Sequence, residues 1–448
     1  MRKLNFTFLA LIFILFTLST CLRQFDIENV QNWDKSDVTQ KENIELKNII
    51  NDQFSYYNSE ILQITSDKVV TMLVGEKKDT ENKYIYELAV YDSKGIKNTS
   101  KIFDDVQKYY LSSLSLTNVR GEFVHIVNKF FGIYITMYDE NLQVTRNVDD
   151  QLLEGFDDFF GFYEPIVSVG KNLMYISMTV QDYLGPYYKR VYVLDLSDRQ
   201  SLKLIEKYTY FDYPDNYFFA NSIQAFNDGS AILHFYNMDK DGESILVQVR
   251  YDSEGKEMPN YPKELNSPLS NLQEFFIHWP WHSHLHEDGE IATFLANDLN
   301  NNLMIYTYNM DGENICAKLN DITGYHNQWY YYGIIGNQGW IYLADSLNLE
   351  GHFGLFDANQ CILNTENLVN TGIFNGVAGS LIEGENQQVC IFEFGNSDGE
   401  QESYQVMLYR IGSFEGEEED DFLEEEDDEG EEEGEGILEG EDEVGLIE

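Results

Sequence analysis

SILVQVRYDSEG, residues 244–255, is a strand-like run that ends in an apolar residue followed by Asp and a turn. The same arrangement, with Asp or a close relative after the apolar residue, recurs as YIYELAVYDSKG at 84–95, FGIYITMYDENL at 131–142, RVYVLDLSD at 190–198, NLMIYTYNMDG at 302–312, HFGLFDANQ at 352–360 and SYQVMLYRIG at 403–412. With Tyr91, Tyr138, Leu194, Tyr251, Tyr308, Phe356 and Tyr409 as markers, the gaps are 47, 56, 57, 57, 48 and 53 residues. Self-similarity at a near-fixed period signals a repeat architecture, in which each unit buries its apolar face only by stacking on its neighbours.

A second β-rich run precedes each marker, as in DKVVTMLVG at 67–75, NLMYISMTV at 172–180 and GWIYLADS at 339–346. Before these lie short segments such as SIQAF at 222–226 and HSHLH at 282–286. With the residues after each marker, every unit offers four short strands. Asp-Gly at 228–229, 241–242, 288–289, 311–312 and 398–399 supplies tight-turn chemistry. Only 7 Pro interrupt the chain, and no long 3.6-residue period appears beyond its first residues, which excludes a helical bundle. The period and strand pattern resemble the β-propeller repeats of secreted and integrin-like proteins over roughly residues 60–414. The resemblance implies an all-β, seven-bladed β-propeller, with six or eight blades as alternatives. No Trp-Asp dipeptide, kelch Gly-Gly pair or Asp-box is present, so it brings no functional residues with it.

After Tyr409 the seventh unit runs straight into Ser413, Phe414 and an acidic block, leaving no sequence for its fourth strand. Phe25-Asp26-Ile27-Glu28-Asn29-Val30 alternates apolar with polar and is predicted to supply it, fastening the ring. The expected organisation is a signal peptide at 1–21, an N-terminal segment at 22–59, the propeller at 60–414 and a disordered tail at 415–448.

Met1-Arg2-Lys3, the apolar run of residues 6–18 and the small polar residues before Cys21 form a secretory-signal pattern. The run is shorter than the roughly 20 residues a membrane-spanning helix needs, which favours cleavage and a secreted or cell-surface protein. Leu18-Ser19-Thr20-Cys21 resembles a bacterial lipoprotein box, with Thr20 fitting it poorly. Membrane attachment is therefore expected only through an uncleaved signal or a lipid anchor. Residues 415–448 hold Asp and Glu but no Lys or Arg, a block that repels itself and forms no core. It is a solubilising extension or a low-affinity Ca²⁺-collecting or docking tail. The formal net charge of -49 argues against nucleic acid and anionic lipid as partners. Hydrophobic residues at 43% demand a packed core all the same. Loss of Cys21 with the signal would leave Cys316, Cys361 and Cys390, enough for one disulfide at most.

The stretches between units are rich in aromatics: FDDFFGFYEP at 156–165, YTYFDYPDNYFF at 208–219, FFIHWPWHSH at 275–284 and YHNQWYYYG at 325–333. In a propeller such connections share one end of the ring. Aromatic faces beside Asp, Asn and Gln suit sugar rings, and extended peptides match equally well. Phe159, Phe162, Tyr213, Tyr217, Trp279, Trp281, Trp329 and Tyr330 are the candidate ligand contacts. The competing reading makes the aromatics wedges between blades.

His282, His284 and His286 would share one face of a strand, where Zn²⁺ could bind two of them readily and all three with a bend. Asn237, Asp239 and Asp241 open a Ca²⁺-loop pattern whose twelfth position is Gln248 rather than Glu, so a plain turn competes. Asn98-Thr99-Ser100 is a glycosylation sequon. Neither GxSxG, GxGxxG, CxxC nor a phosphate loop occurs. The expectation is a binding module for a glycan or an extracellular protein segment. The alternatives are a polysaccharide hydrolase or lyase using carboxylates such as Asp157, Asp158, Asp212 or Asp215, and a calcium-dependent surface-coat protein.

Overall fold

The computed structural model describes residues 38–45, 54–65, 68–77, 84–92, 97–106 and, with breaks between strands, 118–411. The chain divides after Gly412, and the second unit, Ser413–Glu448, lies outside the described residues.

The described strands form seven antiparallel sheets. Six follow chain order, over residues 54–106, 118–147, 159–211, 221–264, 284–320 and 327–370. The seventh joins Gly376–Glu383, Asn386–Glu393 and Gln405–Ile411 to Val38–Glu45 from the other end of the chain. The first strand of the last sheet lies beside the first strands of the 327–370 and 54–106 sheets, so the succession of sheets returns to its start. This is a β-propeller.

The closing strand is therefore drawn from the N-terminal segment, but it is Val38–Glu45. Residues 25–30, predicted for that place, lie outside the described residues. Val38 pairs with Ile411 and Glu45 with Gln405, with an irregularity between Gln40 and Glu42. An outermost strand needs a backbone partner on one side only, and VTQKENIE has no alternation to betray it. The first sheet also starts earlier than the predicted boundary at residue 60, with Phe54–Thr65.

The apolar core lies in the seams between successive sheets rather than on the ring axis. Val124, Ile135 and Met137 meet Met174, Ile176 and Tyr192 across one seam. Tyr175, Val191 and Val193 meet Ile223, Leu233 and Val249 across the next. The markers explain themselves here: Tyr138, Leu194, Tyr251, Tyr308 and Phe356 are all buried wedges, and burial of such a side chain contributes about 1.5–3 kcal/mol.

The residue after the marker turns the chain. Asp252 Oδ1 accepts from the N–H groups of Glu254 and Lys256, both at 2.9 Å. Asp139 does the same for Asn141 and Gln143, and Asn309 for Asp311 and Glu313. The third residue on takes a positive φ, as Leu142, Gly255 and Gly312 do. At Gly312 a Cβ would also stand 2.6 Å from the Gln248 amide, so glycine is required twice over. Asp-Gly at 228–229, 288–289 and 311–312 forms turns as expected. The pairs at 241–242 and 398–399 lie outside the described residues. A disulfide, Cys316–Cys361, joins the 284–320 sheet to its neighbour.

Candidate binding end of the ring

Each sheet is a meander, so its first and third strands start, and its second and fourth end, on the same side of the ring. The chain passes from sheet to sheet on that side. Phe159 opens the strand Phe159–Gly170, with Phe162 three residues further along. Trp329 and Tyr330 lie near the start of Asn327–Ile335. Both pairs thus stand at the connection end, but on inner strands rather than in loops. Phe162 pairs with Val180, Trp329 with Ala344 and Tyr330 with Leu343. Aromatic runs such as FFGFY and WYYY favour a pleated strand, which extends each sheet toward the connections. Tyr213, Tyr217, Trp279 and Trp281 lie outside the described residues.

Of the histidine group, His282 lies outside the described residues. His284 pairs with Thr293 and sets its ring edge-on against Tyr332, 5.0 Å between centroids. His286 is 2% exposed, with Nε2 2.8 Å from Thr293 Oγ1. That hydroxyl lies 2.7 Å from Thr307 Oγ1, which donates to the Ala358 carbonyl of the next sheet. Asn237 sits near the end of Ala231–Met238, also on the connection side, while Asp239 and Asp241 lie outside the described residues. Among the described residues no group of three His, Cys, Asp or Glu is placed to hold a metal ion.

Two buried polar groups escaped the sequence reading. Lys189, 0% exposed, brings Nζ to 2.5 Å from Thr179 Oγ1, near the connection end of its sheet. It lies in phase with Val191 and Val193, and a Lys on the apolar phase of a strand is the signal that could have found it. His234 is likewise in phase with Ile232. Its Nε2 lies 3.0 Å from Gln248 Nε2, and its ring packs against Phe294, Tyr306 and Tyr308. Burial pushes its pKa down to about 3, so the ring is neutral and Nε2 accepts from the Gln248 amide. Nearby, the Tyr308 hydroxyl donates to Ser283 Oγ at 3.0 Å, and Ser283 in turn contacts Ser222.

No family model and no curated protein matches the chain. Among solved structures it is similar to the polysaccharide lyase Uly1, at 10% identity over 83% of this chain and 99% of that one, with a TM-score of 0.42. AofleA from Arthrobotrys oligospora is 9% identical over 75% and 89%, with a TM-score of 0.42. The BP39L lectin from Burkholderia pseudomallei is 11% identical over 67% and 81%, with a TM-score of 0.40. Likeness at this level carries no argument about function, and the fold stands on this chain's own sheets.

Proposed function

We propose that this chain is a secreted β-propeller binding module, one blade to each of its seven sheets, that holds a glycan at the connection end of the ring. The reading is carried by one observation: Phe159, Phe162, Trp329 and Tyr330 belong to the connection-side ends of inner strands. In the sequence, Tyr213, Tyr217, Trp279 and Trp281 fall between the last strand of one sheet and the first strand of the next. Aromatic faces receive the apolar C–H faces of sugar rings, and neighbouring Asp, Asn and Gln bond the hydroxyls. The basic and apolar N-terminus supports the secreted part of this reading.

The test is a glycan array probed with the chain lacking its first 21 residues, with and without Ca²⁺. Retention that disappears in Trp281→Ala and Trp329→Ala, at an unchanged melting temperature and without product from the bound glycan, is the expected result. Product formation would make the protein an enzyme. Variants that unfold would return these side chains to the core, and binding only to extended peptides would change the ligand class.

A further inference from the structure

Asn98-Thr99-Ser100 is the only Asn-x-Ser or Asn-x-Thr sequence beyond residue 21, and its middle residue is not Pro. Such a sequence can carry a glycan in the folded protein only where the fold leaves room for one at the asparagine. Lys97–Val106 is the fourth and outermost strand of the 54–106 sheet. Val90 pairs with Thr99 but Tyr91 with Lys97, so Asn98 is the extra residue of a β-bulge and has no residue opposite it. In the neighbouring strand Ala89 and Val90 are buried.

The bulge recurs around the ring, each time beside the marker residue. Tyr138 pairs with Val144 and Met137 with Arg146, which leaves out Thr145. Leu194 pairs with Leu204 and Val193 with Glu206, which leaves out Ile205. Tyr308 pairs with Asn314 and Thr307 with Cys316, which leaves out Ile315. Asn98, Thr145, Ile205 and Ile315 therefore hold one position in four sheets. Ile205 is 38% exposed and Ile315 43%, while Thr145 is half-buried. Isoleucine gains by burial, so a position that exposes it twice does so through its place on the outer edge and not through the residue it holds.

We propose that Asn98 is an N-glycosylation site whose glycan stands on the outer edge of the 54–106 sheet. The transfer forms a bond from the Asn98 amide nitrogen to the anomeric carbon of an oligosaccharide carried on a lipid diphosphate. The bond from that carbon to the diphosphate oxygen breaks, the lipid diphosphate leaves with the electron pair, and the amide gives up one proton to a base of the transferase. Ser100 supplies the hydroxyl that the acceptor sequence requires. On an outermost strand the glycan also covers an edge whose N–H and C=O groups could otherwise recruit a strand from another molecule. The site rests on the secreted reading, because only a chain entering the secretory route meets this donor.

The test is mass spectrometry of the protein purified from the cells that make it, intact and as peptides, before and after a peptide N-glycosidase. A processed N-terminus and a mass above that of the polypeptide are expected. The glycosidase should remove the excess and turn the Asn98 amide into a carboxylate. Asn98→Gln and Ser100→Ala should each lack the excess, and Ser100→Thr should keep it. Ser100→Ala leaves the asparagine in place, so it decides the matter if Asn98→Gln fails to fold. A processed N-terminus with an unmodified Asn98 overturns the site and leaves secretion standing, whereas an unprocessed N-terminus with no glycan overturns both. An excess that survives in both Asn98→Gln and Ser100→Ala lies on another residue and also overturns the site.

Discussion

Between the 159–211 and 221–264 sheets the ring is held by tyrosine hydroxyls, and between the 284–320 and 327–370 sheets by threonine, asparagine and a disulfide. In the first seam Tyr175 donates to the Gly229 carbonyl at 2.7 Å and Tyr208 to that of Gly255 at 3.1 Å. Tyr210 lies 2.6 Å from Glu257 Oε2 and 3.0 Å from the Tyr251 hydroxyl. Burial raises the pKa of Tyr175, Tyr210 and Tyr251, which keeps these hydroxyls protonated and able to donate. In the second seam Thr307 donates to the Ala358 carbonyl at 2.7 Å, Asn320 to that of Cys361 at 3.1 Å, and Cys316 is bonded to Cys361. Either way, side chains of one sheet catch main-chain carbonyls in the turns of the next. Turn carbonyls have no ladder partner, and when covered they need a donor. Any donor of suitable reach serves, so the units share a geometry more than a sequence.

The largest effect should come from opening the ring, on which every seam depends. Deleting residues 38–45 exposes the edge of Gln405–Ile411 and is expected to lower the melting temperature by roughly 10 °C or more in calorimetry. Deleting 23–32 instead should leave the midpoint in place, and the reverse pattern would restore residues 25–30 as the closing strand. Next comes the disulfide seam: Cys316→Ser with Cys361→Ala should cost about 2–5 kcal/mol in urea unfolding. Reduction should reproduce that loss in the native protein, and a change below the error of the fit would mean that Thr307 and Asn320 suffice.

The seam between these two, holding His234, should separate from both by its response to acid. The folded pKa lies near 3 against 6.5 for the free side chain. Its contribution is fully present above pH 6.5 and is lost as pH falls toward 3, because the unfolded chain then takes up a proton the folded one refuses. The slope is at most about 1.4 kcal/mol per pH unit. His234→Gln should lack this component, and parallel stability curves for the two proteins would disprove it. The smallest effect belongs to the tyrosine seam, where Tyr210→Phe leaves the Tyr251 hydroxyl without that partner and should cost about 1–3 kcal/mol. A neutral result would show that Glu257 had been no better than water.

Each marker falls in the third strand of its sheet, from Tyr91 in Tyr84–Asp92 to Tyr409 in Gln405–Ile411, so the spacing of the sheets was legible before any coordinates. The reason is local: in six of the seven units a large apolar residue is followed by a turn-forming Asp or Asn where the third strand ends, and in the seventh Tyr409 is followed by Arg410. The closing strand was illegible as a segment because VTQKENIE carries no period, and only the missing fourth strand pointed to the N-terminal region. At the candidate site, the end of the ring on which Phe159, Phe162, Trp329 and Tyr330 fall was legible, since aromatic composition and strand order both mark it. Their place on inner strands was not, because FFGFY and WYYY have no polar residue to mark where the strand begins. Lys189 and His234 were passed over for a similar reason: runs such as YYKRVYVLD and AILHFYNM are strands whichever way the single polar residue points.

Pairing of Val38 with Ile411 makes the timing of synthesis part of the fold. Val38–Glu45 leaves the ribosome early and waits for Gln405–Ile411, so a polypeptide interrupted anywhere before residue 405 keeps one strand without a mate and one sheet incomplete. Unmated edges invite aggregation and proteolysis. Closure of the ring therefore reports that translation reached residue 411.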